Sequence, residues 1–199
     1  MAVSRRFLIL AASAVALLGA CDRGGSGVSF KAIDITGADY AQGFDLPDAD
    51  GQRRTMADFK GKVTVVFFGY THCPDVCPTT LLELAAVKKA LGADGDRVQG
   101  VFITVDPERD AAPMLKAYMD NFGAGFVALR GTLEETKATA KAFKVFYAKV
   151  PGSTPDSYTM DHTAGSYVFD AKGKVRLFTR YGTGAEALTS DLKALLAQG

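Results

Sequence analysis

The chain has 199 residues, with 48% hydrophobic and 23% charged residues, a composition that supports one domain with a core that needs no disulfide staples. Lys plus Arg total 23 against 22 Asp plus Glu, for a net charge of +1. No basic cluster or stripe stands out, so a nucleic-acid partner is excluded from the reading.

The first residues differ from the rest. Arg5 and Arg6 precede an apolar stretch from Phe7 to Ala20, interrupted by Ser13. A positive start followed by a short apolar core reads as an export signal, and the stretch is too short for a transmembrane helix. It ends in "LGAC" (18–21), which resembles the bacterial lipobox, where cleavage leaves Cys21 as a lipidated N-terminus. Residues 1–20 are therefore expected to be a lipoprotein signal peptide. Residues 21–39 would then be the lipidated Cys21 and a flexible tether, with the folded domain over 40–199. "DRGGSG" (22–27) is a spacer of the flexible Gly/Ser kind. Loss of Arg5 and Arg6 leaves 21 basic against 22 acidic residues, so acyl chains rather than charge would hold the mature chain to a bilayer. Asp22 resembles the signal that retains such proteins in the inner membrane, facing the periplasm.

Downstream, "FDLPDADGQRRTMADFKGK" (44–62) predicts a hairpin turning at Asp50-Gly51, then a short helical turn. "KVTVVFFGY" (62–70) is a continuous β-branched and aromatic run, the pattern of a strand buried on both faces. Pro78 suits the first turn of a helix, and "TTLLELAAVKKAL" (79–91) carries apolar residues at helical spacing. "RVQGVFITVDPERD" (97–110) predicts a second buried strand running into a polar loop, and 112–123 an amphipathic helix closed by Gly123. "FVALRG" reads as a short strand, and 132–143 as a helix with Thr132 and Glu135 spaced as a capping box. A hairpin over 165–178 and a helix over 184–198 complete the series. Strand–helix alternation ending in an antiparallel hairpin implies an α/β fold: a central mixed sheet with helices on both faces. That is the thioredoxin-like plan, in a peroxiredoxin-sized variant given the extra N-terminal hairpin.

The chemistry concentrates in "GYTHCPDVCP" (69–78), where Cys73 and Cys77 sit between a strand end and a helix start. Helix N-terminal N–H groups and the macrodipole lower a thiol pKa there. If Cys21 is lipidated, only this pair remains for redox or metal chemistry. In an oxidising compartment it becomes a disulfide unless kept reduced or occupied. Three residues intervene (Pro74, Asp75, Val76), where redox pairs of the thioredoxin type use two. The wider spacing still permits a disulfide and also lets two sulfurs open around a soft ion. Zinc would need four ligands from a chain that retains two Cys and two His, whereas Cu(I) accepts two thiolates and one imidazole. His162, in "YTMDHTAGSYVF" before the last hairpin, is the third-ligand candidate. A lone histidine also serves as a loop cap or fills a buried hydrogen bond, and His72 carries the same ambiguity.

Three segments in order, "FFGYTHCPDVCPTTL", "TVDPERDAAPMLKAY" and "DHTAGSYVFD", resemble the signature motifs of the Sco/SenC family, and the similarity runs over about residues 40–198. The resemblance implies a thioredoxin-like copper-binding protein that helps mature cytochrome c oxidase. Its metal ligands by position are Cys73, Cys77 and His162, and its cofactor is copper as Cu(I), Cu(II) or both. The implied partners are the copper-binding subunit of the oxidase and an upstream periplasmic copper donor or thiol reductant, and nothing demands more than a monomer. Asp161 is a candidate acceptor for the His162 ring, and Asp106 either orients a ligand, contacts a partner or caps a turn. The alternative activity is a membrane-anchored thiol-disulfide oxidoreductase using Cys73 and Cys77, with His162 dispensable. Against it, "MDHTAG" lacks the proline that thioredoxins place before the corresponding strand, and "THCPDVCP" lacks the Thr-x-x-Cys of peroxiredoxins.

Overall fold

The computed structural model describes residues 28–154 and 157–199. The expected signal peptide, the lipidation candidate Cys21 and the spacer through residue 27 lie outside the described residues. No helix among those described is long and apolar enough to cross a membrane.

In chain order the strands are β1 (Ile33–Asp34), β2 (Asp45–Pro47), β3 (Arg53–Thr55), β4 (Val63–Gly69), β5 (Val98–Thr104), β6 (Val127–Leu129), β7 (Tyr147–Pro151), β8 (Tyr158–His162), β9 (Gly165–Phe169) and β10 (Val175–Arg180). The α-helices are α1 (Val76–Ala90), α2 (Ala112–Asp120), α3 (Leu133–Ala142) and α4 (Ala185–Leu196). Six strands form one sheet in the order β1-β10-β9-β4-β5-β6. β4, β5 and β6 are parallel, while β9, β10 and β1 run antiparallel to their neighbours. This is the mixed sheet of the thioredoxin-like plan.

Every residue of β4 and β5 is buried, in keeping with the apolar runs Val65–Phe68 and Val101–Ile103 at their centres. Alternation along β4 sends Val65 and Phe67 to one face, where they line a small cavity with Leu81 and Leu84 of α1 and Leu188 of α4. Phe68 points the other way and packs edge-on against Phe143, just beyond α3, with ring centroids 5.1 Å apart. The sheet is thus covered on both sides. The expected capping box forms, with Thr132 and Glu135 opening α3, and a second one, Thr55 with Asp58, caps the short 3-10 turn Met56–Phe59. The turn between β2 and β3 carries Gly51 at φ +81°, the left-handed conformation that a two-strand reversal needs there.

Two features depart from the sequence reading. Residues assigned to the tether belong to the sheet: Ile33 and Asp34 pair with Phe178 and Leu177, so the fold begins ahead of residue 40. The buried carboxylate of Asp191 on α4 holds this segment, accepting the Lys31 and Ala32 backbone N–H groups at 2.8 Å each. The second departure is a separate two-stranded ribbon, β7 with β8, where a loop was expected before the last hairpin. Its first strand is mostly exposed, so it lacks the apolar alternation by which strands are recognised. Asp191→Ala leaves two backbone donors without a partner and is expected to lower stability by about 1–3 kcal/mol, read from the urea midpoint.

Candidate metal centre

β4 ends at Gly69, and the chain leaves the sheet there into the loop that carries Cys73. A Cβ on Gly69 would lie 2.8 Å from Cys77 Sγ and from the Phe67 and Phe102 rings, so only glycine lets the first turn of α1 pack this close. Cys77, fully buried, occupies that first turn. The residue before the helix, Asp75, makes no side-chain cap. The Cys73 sulfur takes the capping role instead, accepting the Cys77 backbone N–H at 3.5 Å. His162 arrives from the end of β8, which carries its ring over the helix start.

The three side chains converge. Cys73 Sγ, Cys77 Sγ and a His162 ring nitrogen all lie within 4.8 Å of one another. Cys77 Sγ and His162 Nε2 are 3.6 Å apart. Two donors bound to one ion at about 2.0–2.3 Å each can be separated by up to about 4.6 Å. A shift of a few tenths of an ångström therefore closes the set around an ion. His162 Nδ1 lies 3.2 Å from the Thr163 carbonyl. A carbonyl only accepts, so Nδ1 carries the proton and Nε2 presents its lone pair to the sulfurs. Phe67 and Tyr70 meet the imidazole edge-on, each with centroids 6.0 Å away, and fix its plane.

The thiols divide the work. Cys73, half-buried, is lowered to about 5, first by the hydrogen bond from Cys77 and then by the Asp75 and Cys77 backbone N–H groups, against an opposing effect of burial. Cys77 is pushed strongly up by that same sharing and by its burial. At neutral pH the reduced pair thus holds one proton and one negative charge, centred on Cys73. Two sulfurs and an imidazole form a soft, low-coordinate donor set suited to Cu(I) rather than to a hard cation.

A SCO1/SenC family model matches residues 34–197. The chain belongs to the SCO1/SenC family. It is 38% identical over 132 residues to an SCO2-like protein of Rickettsia felis, covering 66% of this chain and 64% of that one. The chain thus spans a little under two thirds of the length of the curated relatives it matches first. Among solved structures, Bradyrhizobium japonicum ScoI with copper bound is 42% identical at a TM-score of 0.70, covering 77% of this chain and 98% of that chain. Apo Sco1 of Thermus thermophilus is 34% identical at a TM-score of 0.75, covering 86% and 100%.

The SCO1/SenC motifs hold more than the candidate donors. Asp110, which composition alone would place in a solvated loop, is fully buried. It accepts the Thr71 hydroxyl and the Thr104 hydroxyl at 2.6 Å each, and the Thr71 backbone N–H at 3.1 Å. The cysteine loop is thereby tied to the end of β5. His72 turns toward this anchor rather than the sulfurs: its Nδ1 lies 3.1 Å from Thr71 Oγ1 and 3.7 Å from Asp110 Oδ1. Asp75 is exposed and accepts from Thr79. Asp161 is exposed as well, because strand alternation turns it away from the face that carries Met160 and His162. The ring partner is the Thr163 carbonyl. Asp106 is buried at 1% exposure, bonded to Arg109 Nε and to the Tyr158 hydroxyl, and touches neither sulfur. Sequence reasoning passed over Asp110, Thr71, Arg109 and Tyr158; the hydroxyl beside "HC" and the second aspartate of "DPERD" were the available signals.

Two outcomes follow from this geometry. Alkylation of the reduced protein by iodoacetamide should modify Cys73 ahead of Cys77, with a rate that is flat at neutral pH and falls about tenfold per unit below pH 5, where the thiolate is lost. Gly69→Ala should displace Cys77, destabilise the fold by about 1–3 kcal/mol and lower metal affinity, as measured by thermal melting and by metal titration.

Proposed function

We propose that this chain is a copper metallochaperone that binds one copper ion through the Cys73 and Cys77 sulfurs and His162 Nε2. It would hand that ion to a copper centre of a respiratory cytochrome oxidase during assembly. The observation that carries the reading is the convergence of the three donor atoms within 4.8 Å at the end of β4. Support comes from relatives solved with copper bound, those of Bradyrhizobium japonicum and Arabidopsis thaliana.

The donor set suits a cargo. Two thiolates balance Cu(II) and leave one negative charge with Cu(I), so both oxidation states are tolerable. A half-buried Cys73 at the mouth can be displaced by an incoming sulfur ligand while Cys77 and His162 still hold the ion. Membrane attachment through lipidated Cys21 would keep the domain on the periplasmic side of the inner membrane, beside a copper-binding oxidase subunit and an upstream donor or reductant.

Anaerobic Cu(I) titration of reduced protein, against a competing chelator, tests the reading. One ion per chain is expected. His162→Ala should weaken binding about 10- to 100-fold, and the double substitution Cys73→Ser/Cys77→Ser should abolish it. Binding must release the proton shared by the sulfurs, so affinity should rise about tenfold per unit above pH 7. Near-unchanged affinity in the variants removes the proposal.

One observation favours a second role. An accessible low-pKa Cys73 beside a buried Cys77 is the arrangement of an attacking and a resolving thiol. In this reading Cys73 attacks a substrate disulfide, Cys77 resolves the mixed disulfide, and the substrate leaves with two thiols. Full disulfide reduction by His162→Ala would favour this role over metal delivery.

A further inference from the structure

We propose that Arg109 is a positioning residue for the third metal ligand: with Asp106 and Tyr158 it clasps the β7–β8 ribbon to the domain and so holds His162 Nε2 at the sulfurs. The inference rests on the reading that His162 binds the metal.

The ribbon needs a clasp. Among the described residues β7 and β8 pair only with each other and are not part of the main sheet, and an isolated two-stranded hairpin is marginally stable in water. Alternation along β8 turns Tyr158, Met160 and His162 toward the domain and leaves Thr159 and Asp161 exposed. Met160 supplies the apolar contact, buried to 5% exposure. The polar contact is a closed ring of three side chains.

Arg109 Nη1 donates to the Tyr158 carbonyl at 2.8 Å, and the guanidinium carbon sits 3.6 Å from the centroid of the Tyr158 ring. Arg109 Nε donates to one oxygen of Asp106, and the Tyr158 hydroxyl donates to the other at 2.9 Å. Asp106 is itself fixed, its backbone N–H donating to Thr104 Oγ1 at 3.0 Å. Every member is therefore engaged by the other two. Lys149 of β7 adds an outer strap by pairing with Glu108.

Arg109 also reaches the imidazole by a second route. Its guanidinium lies 5.8 Å from the Tyr70 ring centroid, and Tyr70 is one of the two rings packed edge-on against His162. One side chain thus braces the strand that delivers the ligand and a wall that orients it. Neither Arg109 nor Tyr158 belongs to the donor cluster.

Hydrogen exchange on the apo full chain and Cu(I) titration together test the clasp. Arg109→Ala should speed exchange of the ribbon amides while β4 and β5 stay protected, which also reports that the variant folds. It should weaken copper binding about 10- to 100-fold, yet cause no further loss in a His162→Ala background, because it acts through that imidazole. Tyr158→Leu should behave like Arg109→Ala, whereas Tyr158→Phe, which keeps the stacked ring, should have a smaller effect. Unchanged ribbon exchange in Arg109→Ala, or an equal loss of affinity with and without His162, overturns the clasp and leaves the metal reading standing. If His162→Ala alone leaves copper affinity unchanged, the metal reading falls and this inference falls with it.

Discussion

A carboxylate shut away from water must find donors, and Asp110 finds them in Thr71 and Thr104. That obligation fastens the cysteine loop to the end of β5. Without it, the chain leaving β4 at Gly69 would have few restraints before α1 begins. Four residues earlier, Asp106 answers the same obligation with Arg109 and Tyr158, and so reaches the ribbon that carries His162. The loop between β5 and α2 therefore governs both halves of the centre while supplying no ligand. Two buried acids and their donors bring together side chains 85 positions apart in the chain.

The same economy appears in the charge of the site. Two sulfurs held close share a proton, which leaves Cys73 ionised and Cys77 protonated. The Cys73 sulfur is also stabilised by the backbone N–H groups at the opening of α1, where the helix has no conventional side-chain cap. A single negative charge at a half-open mouth attracts a soft cation, and the second proton departs only when an ion replaces it. Under the proposed delivery role, the arrangement suits a site that both takes up and releases its cargo. It also preserves the capacity for thiol exchange, since uptake and exchange start from the same thiolate.

The sheet supplies a rigid platform, with β4 buried on both faces and glycine at its end because Cys77 lies where a side chain would go. Rigidity ends there. The segments that carry Cys73 and His162 are a loop and a narrow ribbon, each fixed by a few polar contacts. The Phe67 and Tyr70 rings complete the enclosure by restricting how the imidazole can turn.

Much of this was legible in the chain itself. Apolar runs rich in β-branched and aromatic residues announced β4 and β5, Thr132 with Glu135 announced the start of α3, and the spacing of Cys73 and Cys77 announced thiol chemistry at a strand–helix junction. These signals are local: burial of an apolar run, a side chain bonding three residues on, two sulfurs four positions apart. The β7–β8 ribbon, the burial of Asp110 and Asp106, and the choice of the Thr163 carbonyl over Asp161 were decided only by the folded chain. An aspartate in a polar stretch reads as solvated until its donors arrive from distant segments. A mostly exposed strand carries no apolar period to betray it. Residue types and their order specify which atoms can bind a soft ion; the packing of remote elements sets whether those atoms meet.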